Sequence, residues 1–155
     1  ATRASAPLTR EDFDDLHLLI GPEIKRERQT LDWRVDVDDG PMAQFASAPV
    51  RQIALNLLLN ASSAAGTGGV VKLALSHSPD TLGLEISDSG TGLSPEAEHR
   101  LLSSNPVAPG GGVGLRLVHD LVAEFGGSVK AERRGERTVI SVELPVRERE
   151  DLSAC

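Results

Sequence analysis

Apolar and polar residues alternate along this chain in stretches whose period changes from helical to extended and back. Phe13, Leu16, Ile20 and Ile24 recur at helical spacing across residues 10–28, and Thr9 stands where an N-cap belongs. Pro22 lacks an amide hydrogen, which leaves open a short helix, a break and a second helix. LDWRVDV (31–37) alternates with period two and predicts a strand with one buried face. A turn through DDGP (38–41) and a short extended piece at 44–46 are expected to follow. Ser47 as cap and Pro49 in the first turn then open a strong helix. Its buried stripe is Val50, Ile53, Ala54, Leu57, Leu58 and Ala61, and the glycines of 66–69 end it.

The second half is read in the same way. Two period-two runs, 70–77 and 81–87, are joined by the short turn SPD and predict a hairpin. A glycine loop (88–93), a polar helix from Ser94 and an irregular stretch (103–112) come next. A helix is expected over 113–125, closing on two glycines, then strands over 128–134 and 138–144 linked around Gly135. Hairpin pairs outnumber crossover units. The order therefore predicts an α+β two-layer sandwich, a mixed, mostly antiparallel sheet with helices on one face. One domain over 10–146 is expected, with flexible ends at 1–9 and 147–155.

Composition narrows this picture. Of 155 residues 39% are hydrophobic, but only 3% are aromatic and none is Tyr, so the core must be aliphatic. No apolar run is long enough for a membrane helix, and the first residues show no signal-peptide pattern. The single cysteine, Cys155, has no internal partner, which fits a reducing compartment and an expected cytoplasmic location. A net charge of −7 excludes a broad basic footprint for nucleic acid. It also means that a polyanion could bind only with a metal and backbone donors to offset repulsion.

Three segments carry candidate chemistry. Asn56 and Asn60 lie four apart in NLLLNA, one turn apart on one helix face bordering the apolar stripe. Asn lowers helix propensity, and its carboxamide oxygen is a neutral ligand suited to Mg²⁺; a solvated pair is the plainer explanation for such residues taken alone. Asp88-Ser-Gly-Thr-Gly92 follows an apolar strand, where glycines allow a sharp turn and close approach to a planar ligand. Asp88 would be a strong acceptor for an exocyclic amine there. GGGVGL (110–115) enters a helix, where free amides and the helix dipole favour phosphate. No Gly-Lys-Ser/Thr follows, so it is not a Walker A loop.

In this order the segments resemble the GHKL superfamily, which includes histidine kinases, type II topoisomerases and mismatch-repair ATPases. RQIALNLLLNASSA resembles the N box, EISDSGTGLSPEA the G1 box, and GGGVGLRLVHDLVAEFGGSV the G2 box with its helix. TVISVELP resembles the final strand of the histidine-kinase catalytic domain, and the likeness spans roughly 12–146. The resemblance implies a Bergerat-type ATP-binding fold. It implies that Asn60 coordinates Mg²⁺ and that Asn56 lies beside the phosphates, where hydrolysing relatives place a catalytic Glu. It further implies that Asp88 binds adenine N6, with Gly90 and Gly92 shaping the pocket. Gly110, Gly112, Gly114 and Leu115 would line the ATP lid, and Thr138 would approach adenine, commonly through water. Asn rather than Glu at 56 favours the kinase branch, since no carboxylate activates water.

Departures are visible too. LLSSNPVAPGGG is short and lacks an aromatic F box. Ser63 stands where many members carry a basic residue, a contact that Arg116 could replace. His17, His77, His99 and His119 lack H-box neighbours, so the phosphoaccepting hairpin is expected upstream or on another chain. The resemblance thus implies a sensor-histidine-kinase domain that binds Mg-ATP and phosphorylates a histidine on its own dimerisation domain, with a response regulator downstream. On this reading the segment is largely monomeric and contacts neither membrane nor nucleic acid. Two alternatives stand beside it: a degenerate docking module without ATP turnover, and a serine kinase of the anti-sigma-factor type.

Overall fold

The structure, a computed structural model, describes residues 6–103 and 114–146. Helix α1 (Arg10–Arg26) opens with a reciprocal capping box, in which Thr9 accepts from the Asp12 amide and the Asp12 carboxylate accepts from the Thr9 amide. The helix runs through Pro22 without a break. The carbonyl that Pro22 leaves unpaired belongs to Leu18, which is 74% exposed, so water can satisfy it. Residues 6–8, expected in a flexible end, run against 45–47: Leu8 donates to the Phe45 carbonyl at 2.9 Å and Ser47 to that of Ala6 at 2.8 Å.

Strand β1 (Thr30–Val35) is followed by α2 (Asp39–Met42), a helical turn where a plain turn was expected; of the extended piece at 44–46 only Ala46 pairs. Helix α3 (Ser47–Ala65) begins one residue earlier than anticipated. Ala46 is the N-cap and Ser47 is already helical and buried, its amide committed to Ala6 rather than its hydroxyl to a cap. Gly66, at φ 71°, ends it in a conformation costly for other residues.

The remaining elements are β2 (Val70–Ser78), β3 (Thr81–Asp88), α4 (Pro95–Leu102), α5 (Gly114–Glu124), β4 (Ser128–Arg134) and β5 (Arg137–Pro145). Among the described residues the sheet has the order β1-β2-β3-β5-β4; β1 joins β2 in parallel and the other pairs are antiparallel. The α+β layering is as the sequence predicts. Val71, Leu73 and Leu75 of β2, Leu82, Leu84 and Ile86 of β3, and Ile140, Val142 and Leu144 of β5 are buried beneath the helices. The alternate positions Lys72, Glu85, Lys130 and Glu143 lie on the opposite, open face. Leu57 and Leu58 of α3 are fully buried, which makes this helix the centre of the helical layer.

Candidate functional site

The helix-facing side of the sheet ends in a polar row. Asp88 pairs with Thr138 across β3 and β5, and Thr138 pairs with Arg133 across β5 and β4. Behind it lies an apolar row of Leu73, Ile86, Ile140 and Ala131. Asp88 is 2% and Thr138 3% exposed, an unusual depth for a carboxylate without a paired lysine or arginine. One Asp88 oxygen accepts from the Gly90 amide at 2.8 Å; the other has no donor among the described residues. Burial raises the Asp88 pKa above the ordinary aspartate value, while the Gly90 amide and the nearby Arg133 charge pull it back.

The loop after Asp88 is held from three sides. Ser89 exchanges two hydrogen bonds with Val70, at 3.1 Å to its carbonyl and 2.9 Å from its amide. Gly90 rests against the last turn of α3, where a Cβ would collide with the Ala64 carbonyl and lie 2.8 Å from the Asp88 carboxylate. Gly92 takes φ 106°, which a side chain would strain. A cavity of about 320 Å³ opens here, lined by Gly92, Leu93, Glu98, Arg133 and Thr138 among others.

Asn56, Asn60 and Ala64 follow one another at four-residue steps along α3, a line about 12 Å long. Gly90 packs at its Ala64 end and Gly114 at its Asn56 end, where a Cβ would lie 3.3 Å from Asn56 Oδ1. Asn60 thus sits between the Asp88 loop and the start of α5. The Asn56 Nδ2 is buried and has no hydrogen-bond partner among the described residues. A buried unpaired amide is costly, and an anionic oxygen brought to this line would satisfy it.

Gly110 and Gly112, expected in the lid, lie outside the described residues, as does most of the stretch without an F box. Leu115 is 8% exposed and shares the apolar face of α5 with Val118 and Val122. Two α5 side chains fasten the end of α4: Arg116 donates to the Ser103 carbonyl at 2.6 Å, and His119 Nδ1 lies 2.9 Å from that of Leu101. Ser63 is exposed on α3. His17 packs edge-on against Trp33, and His77 and His99 lie at the surface.

Sequence reasoning missed two residues. Arg133 donates through Nη1 to the Gly90 carbonyl and, at 2.7 Å, to Thr138 Oγ1. Gln29 binds the Ser62 and Gly66 carbonyls at 2.7 and 2.9 Å and accepts from the buried Ser62 hydroxyl at 2.8 Å, which braces the end of α3. The spacing of Arg133 to Thr138 about the Gly135 turn was the one available signal for the first. Nothing local announced the second.

Residues 46–148 match the family described as histidine kinase-, DNA gyrase B-, and HSP90-like ATPase. The sensor histidine kinase ZraS of Escherichia coli is 31% identical over 112 residues, 70% of this chain and 24% of that protein. The signal transduction histidine-protein kinase/phosphatase MprB of Mycobacterium ulcerans is 34% identical over 117 residues, 70% of this chain and 22% of that protein. The chain thus spans about a quarter of these relatives. The nucleotide-free catalytic domain of the histidine kinase ThkA superposes with a TM-score of 0.76 at 19% identity, covering 94% of this chain and 99% of that one. Full-length ShkA, solved in complex with AMPPNP, gives 0.74 at 26% identity, covering 96% of this chain and 33% of that one.

Proposed function

The chain belongs to the histidine kinase-, DNA gyrase B- and HSP90-like ATPase family, and from that membership we propose that it binds Mg-ATP along α3 and serves as the catalytic domain of a sensor histidine kinase. The observation that carries this reading is Asp88, a buried carboxylate with one oxygen held by Gly90, whose cross-strand partner Thr138 lines a cavity. Asp88 would take the exocyclic amine of adenine and Thr138 the adjoining ring edge. Gly90 and Gly92 keep the backbone low enough for a planar base.

The phosphates would run along the Asn60–Asn56 line toward the start of α5, where Gly114 lies at the positive end of the helix dipole. Among the described residues no cluster of acidic, His or Cys side chains could hold a metal by itself. Asn60 offers one carboxamide oxygen, which fits Mg²⁺ that keeps its other positions for phosphate oxygens and water. When bound, the ion would neutralise charge developing on the transferred phosphoryl group. Asn56 cannot act as a base, so the site orients ATP without activating water, and the γ-phosphoryl group waits for an acceptor histidine on a dimerisation domain. A response regulator as onward acceptor, a cytoplasmic setting and a monomeric state of this segment belong to the same proposal. No helix among the described residues is long and apolar enough to cross a membrane.

Calorimetry tests the binding half: Mg-ADP is expected to bind in the micromolar range, and no heat at millimolar nucleotide overturns it. Mixing the chain with a separately produced phosphoacceptor domain and labelled ATP tests transfer. Acid-labile, base-stable label on the acceptor is expected. Binding without such label would leave a nucleotide-binding domain that is not a histidine kinase.

A further inference from the structure

Arg133 lies on β4, beside the edge of the site, and is an exposed residue. Its Nη1 nevertheless reaches inward and bridges two acceptors, the Gly90 carbonyl and the Thr138 hydroxyl oxygen. Nη1 carries two hydrogens, so both are committed. A guanidinium accepts nothing and does not lose its proton in a protein. The consequence falls on Thr138. Its oxygen receives a hydrogen from a cation on one of its two lone pairs, which polarises the hydroxyl and makes its O–H the stronger of the two contacts it can still offer.

We propose that Arg133 is a specificity-determining positioning residue, holding Thr138 as a hydrogen-bond donor beside the acceptor Asp88 so that the pair reads a 6-aminopurine and rejects a 6-oxopurine. The proposal rests on the nucleotide-binding reading given above. An aminopurine presents an amine hydrogen and then an unprotonated ring nitrogen, donor followed by acceptor. Asp88 and Thr138 are cross-strand partners and offer the complement, acceptor followed by donor. An oxopurine presents the reverse order. Its carbonyl would face the Asp88 carboxylate and its ring N–H would face a hydroxyl polarised as a donor. Mismatched buried polar groups of this kind discriminate far more strongly than a missing methyl group. Without Arg133 that polarisation is lost and the Thr138 hydroxyl accepts as readily as it donates, so that half of the code weakens. The same bridge holds the Gly90 carbonyl, so the loop that carries the Asp88 contact and the hydroxyl are set by one group.

The test compares calorimetric affinities for Mg-ADP and Mg-IDP, which differ only at the 6-position and its neighbouring ring proton. Wild type, Arg133→Met, Arg133→Lys and Thr138→Val are measured, with the Met and Val changes also combined. Arg133→Met is expected to weaken ADP about tenfold while IDP changes less than about twofold, so the preference narrows. Lys, which keeps a donor, should restore part of it, and Thr138→Val should cost less preference in the Met background than in wild type. If Arg133→Met weakens both nucleotides equally, Arg133 is only a structural tie and the proposal fails while nucleotide binding stands. If wild type binds neither nucleotide, the nucleotide reading fails and this one with it. Should Arg133→Met not fold, an unchanged ADP:IDP ratio in Arg133→Lys and Thr138→Val together overturns the proposal.

Discussion

Asp88 and Thr138 face each other across β3 and β5 in the last helix-facing row of the sheet, both almost wholly buried. A carboxylate at that depth is a burden on the fold unless something is to be bound there. Several measurable consequences follow from its position.

Asp88→Asn should abolish tight nucleotide binding and raise stability at neutral pH. The folded-state pKa of Asp88 is raised, chiefly by burial. Such a group contributes stability at low pH, where it is protonated in both states, and that contribution is lost as pH rises through the raised value. Asn keeps an oxygen for the Gly90 amide and removes the cost of the charge. Thermal melts are expected to show the variant above wild type at pH 7, with the gap closing toward the ordinary aspartate range. A variant less stable than wild type at pH 7 contradicts the assignment.

Nucleotide affinity should itself depend on pH. Ionised Asp88 accepts the amine and protonated Asp88 does not, so affinity falls as pH drops through the raised pKa. The fall should therefore begin above the pH at which an ordinary aspartate titrates. Binding measured from pH 7 downward checks this, with Asp88→Asn as the control that lacks the step.

Gly90→Ala should be among the most damaging single changes in the loop. The added carbon meets the Ala64 backbone and the Asp88 carboxylate, neither of which can swing aside like a flexible side-chain end. A loss of about 1–3 kcal/mol is expected together with loss of nucleotide binding. Denaturant unfolding reads the first and calorimetry the second; wild-type values for both would mean that the loop does not sit on α3.

Gln29→Ala acts at a distance from the ligand. It strips the Ser62 hydroxyl, itself 1% exposed, of its acceptor and leaves the Ser62 and Gly66 carbonyls short of a donor. A stability cost of about 1–3 kcal/mol is expected. Because this cluster braces the turn on which Gly90 rests, hydrogen exchange should rise at the end of α3.

Much of the fold was legible because its signals are local. The i, i+3, i+4 stripe of α3, the period-two strands and the glycines that end helices each depend on neighbours within a turn or two. Pro22 and Ser47 were harder for a shared reason. Whether a proline is tolerated depends on whether the opposing carbonyl reaches water, and whether a serine caps depends on what else its amide can find. Leu18 lies open, and the Ala6 carbonyl arrives from the chain start to take the Ser47 amide. Both facts come from packing.

By itself the sequence determined the elements, the aliphatic core, and the ordered set of Asn56, Asn60, Asp88 and the glycines, because residue type and spacing carry those choices. Tertiary structure alone decided what stands beside them. The sheet brings Arg133 onto the Gly90 carbonyl, the packing of the Asp88 loop sets Gly90 against Ala64, and the approach of α5 places Gly114 on Asn56. Each of these contacts joins elements that neighbour one another only once the sheet has formed and the helices have packed. Residue spacing along the chain therefore cannot specify them.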